Sequence, residues 1–297
     1  MKIPNQSRVQ SPESRVQRRR TADCGLRTVD CGSGFTMIEI AISLAIIGIA
    51  LVSIVGILPI GMRTQRDNRE ETIINQDATV LMEAIRGGSR GLDDLTNYVY
   101  AITNYWTLYN PNGSVFQTNV NGYTYSASQI TWPPPLATTF FPITNGFRII
   151  GLLSTPEYLD VNGSPTNNLS SGGYSNHVVA NVRSISGAAV EKPPQDNAIL
   201  QQDSFSYRVV CVNAPVAMDT NRVSGQPFNE QIYNRQLAAN RHDVRLGFVW
   251  PLLPNGAVPQ QHFNQTFRTQ VAGQVVTNMI AGNILYFCSP QSFVAAP

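Results

Sequence analysis

Residues 34–60 read GFTMIEIAISLAIIGIALVSIVGILPI, and their length and polarity determine the architecture. From Ile40 to Ile60 there are 21 residues without a charge. A helix needs about 20 apolar residues to cross a hydrocarbon core. The run exceeds the apolar part of a secretory signal peptide, about 7–15 residues. Its C-terminal flank, Pro59-Ile60-Gly61-Met62-Arg63, offers no small-x-small cleavage site. The block is therefore expected to stay in the mature protein as a single membrane-spanning helix.

Charge on either side sets the orientation. The chain has 297 residues and a net charge of +2. Residues 1–34 hold seven bases and three acids, so residues 35–297 hold 14 bases and 16 acids, or −2. A basic segment before an apolar helix places the N-terminus in the cytoplasm and the long C-terminal part outside. A mature charge of −2 gives no general attraction to phosphates, and no nucleic-acid partner is expected. Glu39 is the odd residue, because the apolar run begins at Phe35 and so includes a carboxylate. An acid is costly inside a bilayer and less so near its edge. Glu39 either snorkels to the headgroups or is held for a partner charge.

The junction Gly34-Phe35-Thr36-Met37-Ile38-Glu39-Ile40, with Gly48 in the helix after it, resembles the N-terminal signature of type IV prepilins and type II secretion pseudopilins. The resemblance covers about 30 residues. It implies that a prepilin peptidase cuts between Gly34 and Phe35 and methylates the Phe35 amine. It also implies that the helix remains as the stem through which subunits assemble. Phe35, Thr36 and Glu39 would then act against other pilin or pseudopilin subunits and an inner-membrane assembly platform. Glu39, the fifth mature residue, would meet the amine of an incoming subunit. Physical chemistry favours such a pairing, because amine and carboxylate are each costly alone in lipid. Gly48, Gly56 and Pro59 depart from an ideal helix and mark where it is expected to flex. Many members of the family carry a proline where this chain has Gly56; here the proline comes three residues later.

Beyond the apolar run, residues 62–88 read as an amphipathic continuation of the helix. Ile74, Ala78, Leu81 and Ile85 form one apolar stripe, and Gly87-Gly88 supplies a stop. Residues 89–297 read as an extracytoplasmic β-rich head. Strands are expected at Tyr98–Tyr109, 147–153, 177–185, 205–212, 244–250, 263–271 and 284–288. Loops are expected at Pro133-Pro134-Pro135, Asn162-Gly163-Ser164-Pro165, Ser170-Ser171-Gly172-Gly173 and Lys192-Pro193-Pro194. The fold class is thus α+β: a long N-terminal helix, membrane-spanning in its first half, packed on an antiparallel sheet in a pilin-like head.

Little in the head suggests catalysis. There is no P-loop, Gly-x-Ser-x-Gly, His-Glu-x-x-His or Cys-x-x-Cys. His242-Asp243 reads as a turn entering a strand. Asp160 and Asn162 have the oxygen spacing that opens some calcium loops, without the downstream acid, so a turn is favoured. Cys24 and Cys31 fall in the leader. Cys211 and Cys288, 77 residues apart, are a candidate disulfide in an oxidising compartment. No cofactor is expected and the chain does not read as an enzyme. The leader repeats itself at a period of seven, SRVQSPE with SRVQRRR and TADCGLR with TVDCGSG, with no heptad core.

The expected role is a structural subunit, minor by its length, of a type IV pilus-like filament or type II secretion pseudopilus. It would sit single-pass in the inner membrane with a periplasmic head, and in a filament or at the cell surface after assembly. The alternatives are a membrane-anchored binding or enzymatic β domain and a DNA-uptake pseudopilin.

Overall fold

The computed structural model describes residues 35–88, 94–124, 139–143, 145–167, 169–186, 205–216, 227–280 and 283–293. The leader with Gly34, Cys24 and Cys31, and the loops at Pro133–Pro135 and Lys192–Pro194, lie outside these residues. The fold is α+β, and the chain divides into two compact units, 1–60 and 61–297.

Helix α1 (Met37–Gly87) is 51 residues long and uninterrupted through Gly48, Gly56 and Pro59. In the first unit it is apolar and alone. Every residue from Phe35 to Ile60 is exposed, and an added Cβ at Gly48 or Gly56 would meet nothing within 4 Å. The Ser43 and Ser53 hydroxyls donate to the carbonyls of Glu39 and Ile49, each at 2.8 Å. Such back-bonding satisfies a hydroxyl without water. Length and composition make this a helix able to cross a membrane.

The second unit contains the expected stripe: Ile74, Ala78, Leu81 and Ile85 are buried. They join one core with the inner face of a sheet, a short helix and a hairpin. Among the described residues the sheet has eight strands: β1 (Val99–Tyr109), β2 (Val115–Thr124), β3 (Thr139–Pro142), β4 (Tyr158–Leu159), β5 (Gly173–Arg183), β6 (Ser206–Pro215), β7 (Arg241–Trp250) and β8 (Phe263–Ala272). Their order is β3-β2-β1-β5-β6-β7-β8, with β4 on β5. Pairing is antiparallel except for β2 with β3, which is parallel. A hairpin of β9 (Gln274–Ile280) and β10 (Asn283–Ser289) forms a second sheet.

Alternation explains the central strands. In β6, Tyr207, Val209, Cys211 and Asn213 are buried; in β7, His242, Val244, Leu246, Phe248 and Trp250 are. Register places Cys211 opposite Leu246 and Val209 opposite Phe248, so both sets share a face.

One expected strand is a helix. Residues 147–153 lie in α3 (Gly146–Leu153), where Asn145 is the N-cap and its side chain accepts the Arg148 amide at 3.0 Å. A run of apolar residues without polar alternation fits a fully buried strand or a buried helix equally. The Asn145 cap resolves it as helix. The strands β2, β3, β4 and β9 and the helix α4 (Phe228–Asn240) were not anticipated. A four-residue helix α2 (Leu95–Tyr98) leads into β1.

Candidate functional site

At the start of α1, Thr36 and Glu39 hold one another. The Thr36 amide and hydroxyl both donate to Glu39 Oε2 at 2.8 Å, and the Glu39 amide donates to Thr36 Oγ1 at 3.4 Å. This is a capping box, Thr-x-x-Glu, which satisfies amide donors that a helix N-terminus leaves unpaired. Glu39 therefore has a partner within its own chain, a role readable from the Thr36-to-Glu39 spacing and missed by sequence reasoning. Phe35 and Met37 beside it are 84 % and 91 % exposed. The three residues expected to act in assembly, Phe35, Thr36 and Glu39, thus form one cluster at the start of an exposed apolar helix.

Further along α1, within the second unit, Asp77 lies among the stripe residues and is wholly buried. It accepts from the Ile185 amide at 2.9 Å, the Ser186 amide at 2.8 Å and the Tyr207 hydroxyl at 2.9 Å, and also from the Ser186 hydroxyl. Burial raises its pKa, and these four hydrogen bonds only partly oppose that. The carboxylate ties the helix to the bend just after β5 and to β6. A single acid within an apolar stripe was the available signal.

The two cysteines come into one core but do not pair. Cys211 and Cys288 are free, buried thiols, and the Cys211 thiol donates to the Leu153 carbonyl at 2.8 Å. Burial pushes the Cys288 thiol up to about 12 and raises Cys211 as well, with Cys288 adding to the effect. Thiols so placed stay protonated and unreactive. In the structure both are core cysteines, which pack as small apolar side chains.

Asp160 and Asn162 lie in a tight turn. The Asp160 carboxylate accepts the Asn162 amide at 2.9 Å and the Ser164 amide at 2.8 Å, and Gly163 takes a φ of +82°. Among the described residues no three His, Cys, Asp or Glu side chains come together as a metal site. His242 and Asp243 both lie inside β7, not in a turn before it. Asp243 is clasped by Arg245 and Arg268, each at 2.7 Å. Its burial raises its pKa, but the hydrogen bonds from Arg268 and Arg245 prevail and hold it below the usual carboxylate range. His242 is 5 % exposed and its Nε2 has no protein partner. It lines a cleft of about 380 Å³ with Pro156, Asn213 and Gln274.

A second cleft, of about 340 Å³, lies between the sheet, the 160–164 turn and β10. Its lining contains four asparagines and four aromatic side chains and no Asp, Glu, Lys, Arg or His. No family model, curated protein or solved structure matches the chain.

Proposed function

We propose that the chain is a non-catalytic structural subunit, a minor one, of a type IV pilus-like filament or type II secretion pseudopilus. One observation carries this reading: the junction Gly-Phe-Thr-Met-Ile-Glu at 34–39 opens a helix whose side chains from Phe35 to Ile60 are all exposed. Apolar surface of this extent needs cover, at about 25 cal/mol per Å². In this reading lipid supplies the cover before assembly and the helices of neighbouring subunits supply it afterwards. A prepilin peptidase removes residues 1–34 and methylates Phe35. The N-terminus is cytoplasmic, the head periplasmic, and the inner-membrane assembly platform receives the subunit. The packing of the α1 stripe on one face of an antiparallel sheet supports a pilin-like head.

Mass spectrometry of the native protein tests the reading. A chain beginning at N-methylated Phe35 is the expected result. An intact 1–34 segment in cells with an active prepilin peptidase would count against it, as would a subunit that never cross-links into multimers.

A further inference from the structure

The uncharged cleft contains a defect that the fold does not explain. Asn121 on β2, Asn104 on β1 and Asn176 on β5 run across three adjacent strands; Asn121 is opposite Asn104, and Asn176 is opposite Trp106. Neighbouring residues on the same face, Ile102 and Val178, belong to the core. Asn176 is 5 % exposed. The Asn104 amide nitrogen donates to Asn176 Oδ1 at 3.3 Å, which leaves Asn104 Oδ1 and Asn176 Nδ2 buried without a partner in the protein. Turning both carboxamides over gives the same result, one orphan acceptor and one orphan donor. Buried polar groups are paired as a rule, so two orphans side by side in a cleft call for a ligand that supplies one donor and one acceptor.

The surroundings narrow the ligand. With no charged side chain in the lining, an ionic ligand would have no counter-charge. Trp106 and Tyr174 meet edge to face at 5.7 Å and 73°, and Tyr286 is fixed by its hydroxyl donating to the Gly163 carbonyl at 2.9 Å. These rings offer apolar faces to C–H groups. An extended peptide would need a free strand edge, but β1 lies between β2 and β5, and β5 between β1 and β6. The volume is near the low end for small-molecule sites, ~300–1,000 Å³, and suits a single sugar ring.

We infer that this cleft binds a neutral N-acetylated sugar, with the acetamido group set against the Asn104–Asn176 pair and the ring against the aromatic side chains. The acetamido N–H answers the orphan acceptor and its C=O answers the orphan donor. The inference does not depend on the filament reading, because every residue it uses lies in the head.

The test uses the full chain in a detergent without a sugar headgroup. Binding of methyl N-acetyl-β-glucosaminide and of methyl β-glucoside is followed by ligand-observed NMR. The N-acetylated glycoside should bind in the millimolar range, and the plain glucoside at least about tenfold more weakly. The double substitution Asn104→Leu with Asn176→Leu, which removes both orphans together with the bond between them, should abolish binding while keeping or raising the melting temperature; a purely structural pair would lower it. No binding of the N-acetylated glycoside to the wild-type chain overturns the inference. So does equal binding of both glycosides, or tighter binding of N-acetylalanine methylamide.

Discussion

At the level of the single residue, Glu39 holds two roles that a substitution can separate. Its carboxylate closes the N-terminus of α1 through Thr36, and in the proposed filament it also meets a neighbour's amine. A glutamine can close a capping box as well as a glutamate can, but it carries no charge. Glu39→Gln should therefore leave membrane insertion and the helix start intact while lowering incorporation into filaments, measured as the sheared-filament fraction against total subunit. Glu39→Ala should lower incorporation too, and adds a frayed first turn that Glu39→Gln does not have. Normal incorporation of Glu39→Gln would reduce Glu39 to a cap. Asp77 shows the other use of a carboxylate in this helix: it gathers four donors, none of them a cation, from the bend after β5 and from β6.

Among the elements, α3 sets intrinsic preference against packing. Gly151 lies inside this helix, where alanine would be favoured by about 1 kcal/mol on propensity alone. A Cβ there would stand 2.7 Å from Phe287 Cζ and 2.9 Å from Leu285 Cβ on β10. The Phe287 ring can shift, but Leu285 Cβ is tied to its strand. Packing should prevail: Gly151→Ala should destabilise the head by about 1–3 kcal/mol, read as a lower urea midpoint, and a higher midpoint would show that the hairpin yields. The same element shows what the sequence could reveal. The α1 stripe was legible because its period repeats over several turns, and β5 to β8 and β10 because β-branched and aromatic residues gather there in short runs. The α3 run has no alternation, so its single sign was Asn145 as a cap. In β2, Val115–Thr124 is mostly polar and reads as loop until β1 pairs with it. The cleft was not legible at all, since Asn104 and Asn176 become neighbours only through the β1–β5 register.

Across the whole molecule, buried ionisable groups make the head's stability depend on pH, with opposing signs. His242 is the principal group. Burial lowers its pKa from 6.5 to about 4, and no charged side chain lines the cleft it faces. A lowered histidine pKa means that the unfolded chain takes the proton first. Stability is therefore complete above pH 6.5 and declines as the pH falls towards 4. The loss should reach about 2 kcal/mol by pH 5. His177, stacked on Tyr105 at 5.0 Å, is also lowered by burial and adds a smaller effect of the same sign. Asp77 acts in the opposite direction: its raised pKa makes the folded chain take the proton first, so its ionisation cost is relieved as the pH nears the carboxylate range. Asp243, held low by its arginines, matters only below 3.8, where protonation removes its contribution. Between pH 6.5 and 5 the histidines should therefore dominate, and the urea midpoint of the full chain should fall across that window. His242→Gln, neutral and of similar size, should remove most of the decline while leaving the midpoint at pH 7 within about 1 kcal/mol. An unchanged slope in His242→Gln would move the effect to another group, whereas a flattened one would establish His242 as a buried neutral imidazole.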